Sequence, residues 1–318
     1  MPVRCVFGLL ATAALVLCAC GPAPTPMLPP TATLIPPTAS PTQTLTPLPP
    51  STQAFPTPEP SPTATVDAKL PAPMEVHVTT DVLYSSNRSL DVYRPVSQGS
   101  WPVVLFLHGG GMNKSSVGGM ATAISGQGIV VFVPTYQSSQ PTAKTITVGA
   151  EQAACAARFA RAHAAEYGGK PGRLVAAGHS AGGAFAVLLA LAGDEYKGEC
   201  QVTDEWSGRV DGVVGLDGAY DLMRYIEPRV FPSAPAEAWL AISPYAQLER
   251  QPFHAGLAFR LFAGRETELV QDGQSMRDAL TRAGYVAEFT QVPGVDHGGM
   301  VIRRAQTVLA IVELARGG

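Results

Sequence analysis

Gly178-His179-Ser180-Ala181-Gly182 sets a serine hydroxyl between two glycines, after an apolar run at residues 173–177 and before an alanine-rich stretch at 184–192. A strand, a tight turn and a helix in that order give a G-x-S-x-G match the context of a nucleophile elbow. So sharp a reversal leaves no room for a Cβ two residues before or after the serine, which explains both glycines. The turn holds the Ser180 hydroxyl clear of the backbone at a helix N-terminus, where negative charge is favoured. The chemistry expected of Ser180 is attack on a carbonyl carbon. That attack needs donors for the oxyanion, a base and an acid.

The donors are expected from His108-Gly109-Gly110-Gly111, which directly follows a buried-strand pattern at residues 103–107. Consecutive glycines let a loop bring its amides close to a substrate without side-chain obstruction. The N–H groups of Gly110 and Gly111, with that of Ala181, form the expected oxyanion hole. In isolation, three glycines would read as a flexible turn. The expected base is His297, in the loop Pro293-Gly294-Val295-Asp296-His297-Gly298-Gly299 after the last strand-like run. An imidazole can take the hydroxyl proton and return it to a leaving group near pH 7. The other histidines have competing duties: His108 in the glycine loop, His179 in the elbow, His163 on a helix, His77 in a strand, and His254 in a loop without a partner signal.

With these motifs the chain from about residue 73 onward resembles an α/β-hydrolase, in the esterase branch with an HGGG oxyanion loop. The matching pieces are residues 108–111, Gly178 to Gly183 and Asp296-His297-Gly298. Weaker echoes are Leu90-Asp91-Val92-Tyr93-Arg94-Pro95, Tyr220-Asp221-Leu222 and Ser243-Pro244. The resemblance is to small carboxylesterases of the feruloyl- and acetyl-esterase-like kind, and implies a serine hydrolase acting on ester bonds.

The acid departs from the family pattern. Relatives place an aspartate two or three residues beyond the glycine that ends the penultimate strand. Here the run after Gly264 is Arg265-Glu266-Thr267-Glu268, with Thr267 in the commoner aspartate register. A threonine cannot stabilise an imidazolium by charge, whereas a glutamate reaches one bond further than aspartate. Glu266 is therefore the expected acid, with Glu268 as its alternative. Asp217, at the end of the strand-like run 210–216, is the next candidate. Asp272 and Asp296 read as a helix cap and a solvated loop residue.

The elements around these motifs alternate. Strand patterns fall at residues 75–79, 90–93, 103–107, 129–133, 173–177, 210–216, 257–263 and 286–292. Helical patterns fall at 120–125, 148–167, 184–192, 274–283 and 301–315. Such alternation predicts an α/β fold with a mostly parallel central sheet of about eight strands and helices on both faces. All the candidate catalytic groups follow strand ends, where active sites of such sheets lie.

The N-terminal part is not expected to join that fold. Arg4 and the apolar run 6–19 form an export signal whose helix would span only about 21 Å, short of a hydrocarbon core of about 30 Å. Leu17-Cys18-Ala19-Cys20 resembles a bacterial lipobox. The expected organisation is a signal peptide at 1–19, a lipidated Cys20 (or, as the alternative, plain cleavage and secretion) with a disordered Pro/Thr-rich linker to residue 72, and a catalytic domain at 73–318. Such a linker cannot bury a core and reads as a tether, so the domain would be exported and lipid-anchored at the membrane. Cys155 and Cys200 are the two cysteines beyond the linker, and in an exported protein an even pair argues for a disulfide.

A net charge of −3 provides no electrostatic footprint for nucleic acid. No cysteine–histidine cluster has metal-ligand spacing and no phosphate-cradling loop is present, so neither metal nor cofactor is expected. The expected activity is that of a serine carboxylesterase on short-chain acyl or acetyl esters, free or attached to polysaccharide. Tyr220, Tyr225, Phe231, Trp239 and Tyr245 are candidates either for an acyl pocket or for packing. The rival readings are a serine peptidase of prolyl-oligopeptidase type and a non-catalytic surface binding protein on a hydrolase fold.

Overall fold

Apolar residues alternate along the strands because one sheet separates two cores. The computed structural model describes residues 69–138, 145–222, 236–265, 267–302 and 305–317. The expected signal peptide, Cys20 and the linker as far as residue 68 lie outside them, as do Tyr225, Phe231 and Glu266. The strands are β1 (Val76–Ser85), β2 (Arg88–Pro95), β3 (Trp101–Leu107), β4 (Val130–Pro134), β5 (Gly169–His179), β6 (Gly212–Leu216), β7 (Ala258–Ala263) and β8 (Val286–Gln291). They form one eight-stranded sheet in the order β1-β2-β4-β3-β5-β6-β7-β8. β2 runs antiparallel to both β1 and β4, and every pairing from β4 onward to β8 is parallel. The β1–β2 hairpin turns at Ser86-Asn87.

The principal helices are α1 (Gly118–Ser125), α2 (Val148–His163), α3 (Ala181–Ala192), α4 (Pro244–Arg250), α5 (Thr267–Arg282) and α6 (Ala305–Arg316). On β3, Val103, Leu105 and Leu107 pack with residues of α2, α3 and α5, while Val104 and Phe106 pack with those of α1 and α6. The same division holds along β5 and β6, where Ala176 and Val213 face one core and Ala177 and Val214 the other. α3 is apolar all round, and every residue from Gly182 to Ala192 is buried. It is thus a central helix, and its N-terminus has no freedom to move away from the sheet.

Several details differ from the sequence reading, among them α4, which it did not contain, and α6, which begins at Ala305 and not at residue 301. The helical pattern expected at 148–167 is α2 followed by a 3₁₀ turn, Ala164–Tyr167. α5 begins at Thr267, well before the expected residue 274. Gly273 lies inside α5, where a Cβ would come within 2.6 Å of the Phe289 ring. A glycine that lets a strand's aromatic ring press against a helix need not end the helix.

Cys155 of α2 is disulfide-bonded to Cys200, closing a separation of 45 residues. In the loop-entropy model that cross-link is worth about 4 kcal/mol. Cys200 also makes an isolated bridge with Ser85, so the disulfide ties α2 and the 194–210 connection to the end of β1.

Candidate active site

The elbow joins β5 to α3, and its geometry explains both flanking glycines. A Cβ on Gly178 would lie 2.2 Å from the Gly182 carbonyl oxygen, and one on Gly182 would lie 2.2 Å from the Leu107 carbonyl oxygen. No side chain fits at either position. Between them Ser180 adopts φ 55° and ψ −122°, a left-handed conformation that a non-glycine residue holds only under constraint. The constraint is visible: the Ser180 N–H donates to Leu216 O at 2.9 Å, and Ser180 O accepts from Gly183 and Ala184.

The glycine loop arches over this turn. The Cβ position of Gly109 lies 3.4 Å from Ser180 Cβ, and that of Gly110 lies 3.9 Å from Ala181 Cβ. Gly111, with φ +71°, forms the exposed end of the turn. The amides of Gly110, Gly111 and Ala181 donate to no acceptor among the described residues. Unspent N–H groups beside a helix N-terminus are suited to an oxyanion.

The loop is held from beneath by residues that motif spacing did not single out. Tyr136 donates its N–H to His108 Nε2 at 3.4 Å and its hydroxyl to His108 O at 2.7 Å. With Nε2 accepting, Nδ1 carries the proton and donates to Gly109 O at 3.0 Å. The Ser138 hydroxyl donates to the same carbonyl at 2.9 Å. Burial of the ring lowers the His108 pKa, which keeps the imidazole neutral as this pattern requires. At the other end of the loop, Lys114 pairs with Asp81 of β1 at 2.6 Å and with Asp91 of β2.

His297 lies after β8 and opens the 3₁₀ turn Gly298–Val301. Its loop is fixed by the Arg265 N–H donating to Val295 O at 2.7 Å and by Asp296, whose carboxylate accepts the Gly299 N–H at 2.7 Å. His297 O accepts a hydrogen bond from His179 Nε2 at 2.9 Å, and the two rings lie 4.4 Å apart between centroids. The base candidate is thereby tied to the residue next to Ser180.

The carboxylate at His297 is Asp217, not Glu268. His297 Nδ1 stands 3.3 Å from Asp217 Oδ2, the His297 side chain 39% exposed and that of Asp217 0%. The Asp217 Oδ1 atom accepts the Gly264 N–H at 2.6 Å. Asp217 itself has φ 46°, and its N–H donates to Phe262 O at 2.7 Å. The expected alternative Glu268 is exposed in the first turn of α5, and the preferred Glu266 lies outside the described residues. The reason lies in the ends of β6 and β7: the Gly264 N–H after β7 reaches the carboxylate that closes β6, whose other oxygen faces His297.

Asp272 also departs from its expected helix-cap role. It is buried within α5, and its carboxylate accepts the N–H groups of Tyr220 and Asp221 at 2.6 and 3.0 Å. That fixes the segment immediately after Asp217. Tyr220 and Trp239 are core residues, so their aromatic mass is packing and not pocket wall.

A nucleophile candidate in a constrained turn, unspent amides beside it and a histidine backed by a buried carboxylate form an arrangement suited to acyl transfer. Comparison with known proteins agrees with that chemistry. Over 104 residues the chain is 35% identical to the carboxylesterase NlhH of Mycobacterium tuberculosis, a stretch covering 30% of this chain and 31% of that protein. The aligned segment is therefore under a third of the relative's length. A truncated carbohydrate esterase from gut microbiota has a similar fold, with a TM-score of 0.64, 17% identity, and coverage of 79% of this chain and 99% of that one. Apo Thermogutta terrifontis esterase 2 superposes with a TM-score of 0.60 at 21% identity, over 78% of this chain and 96% of that one. The same esterase has been solved phosphonylated by sarin, with a TM-score of 0.62 at 20% identity over 76% of this chain and 95% of that one. These likenesses establish the α/β-hydrolase fold. The BD-FAE family profile matches residues 90–252, more than half of the chain and including the glycine loop, the elbow and Asp217; the chain belongs to this family of α/β-hydrolase esterases.

Proposed function

We propose that the protein is a serine carboxylesterase in which Ser180 is the nucleophile, His297 the general base and acid, and Asp217 the group that orients and stabilises the imidazolium. The observation that carries this reading is the buried Asp217 carboxylate 3.3 Å from Nδ1 of His297, the residue whose backbone carbonyl is tied to the elbow. With Nδ1–H directed at Asp217, Nε2 is left with its lone pair to accept the Ser180 proton. The hydroxyl oxygen bonds to the ester carbonyl carbon, and the carbonyl oxygen becomes an oxyanion received by the amides of Gly110, Gly111 and Ala181. Collapse breaks the bond to the alcohol, which leaves with the proton from His297 Nε2. Water then repeats the sequence on the acyl-enzyme and releases the acid.

The substrate class in this reading is a short-chain acyl or acetyl ester, including esters carried on polysaccharide. Its support is family membership, together with the fold shared with a carbohydrate esterase. The domain is proposed to act outside the membrane, anchored through a lipidated Cys20. Replacement of Cys20 should release the protein from the membrane fraction with activity unchanged, and continued retention would end that part of the reading.

The test of function is direct. The wild-type protein should take up a fluorophosphonate probe and hydrolyse p-nitrophenyl acetate faster than the octanoate, while Ser180→Ala should do neither. An unlabelled wild-type protein would favour a binding role on a hydrolase fold. Peptide cleavage with inert esters would favour a peptidase.

A further inference from the structure

The residue between Gly178 and Ser180 has no role in the proton relay, yet it is joined to it. His179 is 3% exposed and lies on the last residue of β5. Its Nε2 donates to the backbone carbonyl of His297 at 2.9 Å, across 118 residues of sequence. The two rings are tilted by 34° with centroids 4.4 Å apart. On its other side, His179 Nδ1 is buried without a hydrogen-bond partner among the described residues, 3.1 Å from the position a Gly109 Cβ would occupy. One side chain therefore touches the base's backbone, the base's ring and the oxyanion loop.

We propose that His179 is a positioning residue that sets the His297 ring between Asp217 and the Ser180 hydroxyl while presenting it with an uncharged face. This inference rests on the reading of His297 as the base. The geometry supplies two independent arguments for it. First, the His297 loop carries glycines on both sides of the histidine, so its backbone needs an external tie to hold one ring position. The described hydrogen bonds to the His297 carbonyl come from His179 Nε2–H and from the Met300 N–H, at 2.9 and 3.3 Å. Only the first comes from outside the loop, and it comes from the elbow itself. One side chain thus links the elbow to the His297 backbone, while Asp217 holds the far side of the ring.

The second argument concerns charge. During acyl transfer His297 becomes an imidazolium, and a second cation stacked on it would oppose that step. The groups facing His179 are the His297 ring, the Asp217 carboxylate and the Gly109 backbone. Burial, with His297 adding to the effect, depresses the His179 pKa to about 4. The ring is therefore neutral wherever His297 works. Its unpartnered Nδ1 follows from the same constraint: in the tautomer that donates from Nε2, Nδ1 carries only a lone pair and needs no acceptor. A leucine of similar bulk would fill the space but could not hold the carbonyl. A glutamine keeps an N–H donor on a chain of comparable reach.

The experiment compares His179→Leu, His179→Gln and Ser180→Ala with wild type. The measurements are kcat and KM for p-nitrophenyl acetate from pH 5 to 9, the low-field proton NMR resonance of the His297–Asp217 hydrogen bond, and thermal melting. For His179→Leu the expected result is a kcat lower by roughly ten- to a hundredfold with KM within about threefold. Its acid limb should be displaced and its low-field resonance broadened or lost. His179→Gln should recover most of kcat, the pH profile and the resonance. Wild-type kcat, profile and resonance in His179→Leu would overturn the proposal. So would a loss that tracks melting temperature in both variants without rescue by glutamine, which would mark His179 as packing alone. If wild type itself hydrolyses no ester and takes no fluorophosphonate, the esterase reading has failed. The resonance still decides then whether His179 holds His297 on Asp217.

Discussion

Asp217 divides its two carboxyl oxygens between His297 Nδ1 and the Gly264 N–H, so the segments that follow β6, β7 and β8 meet at one buried side chain. The arrangement is directional. Oδ1 is committed to a backbone donor, which leaves Oδ2 as the acceptor for the imidazole.

Asp217→Asn follows from that division. The amide oxygen will be held by Gly264, which turns the NH₂ group toward His297 and forces the wrong tautomer on the ring. A fall in kcat of about 10⁴, the size seen when a triad aspartate is so replaced, is expected with melting temperature nearly unchanged. Glu268→Gln should stay close to wild type. A large loss in Glu266→Gln alongside a mild one in Asp217→Asn would return the acid to the end of β7.

How much of this site was legible in the sequence depends on how local each signal is. The elbow and the glycine loop announce themselves because the steric requirement sits within five residues, at Gly178 and Gly182 or at Gly109 to Gly111. The strands were legible because alternate residues must face different cores. The carboxylate beside His297 was not. Asp217 and Glu268 both follow strand-like runs in the sequence, and only the packing of the loops sets the Asp217 carboxyl against His297. A buried aspartate flanked by glycine at the end of an all-apolar strand was the available signal. Asp272 was hidden differently: a charge inside a helical pattern reads as solvated unless its partners, the amides of Tyr220 and Asp221, are known.

His179 also makes stability depend on acid. Its pKa is about 4 in the folded chain, from burial and the neighbouring His297, against about 6.5 in an unfolded one. Above pH 6.5 both states are neutral and the contribution is fully present. As pH falls the unfolded state takes up the proton first, so stability drains away down to about pH 4. The shift corresponds to about 3 kcal/mol. His108, lowered by burial, acts in the same direction. Melting temperatures between pH 7 and 4 should fall more steeply for wild type than for His179→Gln. Parallel curves would contradict a buried neutral ring.

The disulfide should be a measurable share of stability. Replacing Cys155 and Cys200 together by serine frees a loop closed across 45 residues, with an expected loss of about 2–4 kcal/mol. For a domain of this size that lowers the melting temperature by roughly 5–15 °C. Calorimetry of the double variant and of wild type under reducing conditions should agree. A melting temperature indifferent to both treatments would remove the cross-link from the list of stabilising features.

Tyr220 carries a polar atom that the core does not satisfy. Its hydroxyl is buried without a hydrogen-bond partner among the described residues, burial pushes its pKa well above the usual phenol value, and its ring fills the space left by Gly215 and Gly218. A Cβ on Gly215 would lie 1.9 Å from that hydroxyl oxygen. Removing the oxygen relieves a desolvation cost without opening a large cavity, so Tyr220→Phe should be more stable than wild type by about 1 kcal/mol. Gly215→Ala should do the opposite, displacing the ring and with it the segment that Asp272 fixes after Asp217. Urea midpoints at constant slope would read both effects. A less stable Tyr220→Phe would mean that the hydroxyl has a role in the core that its surroundings do not reveal.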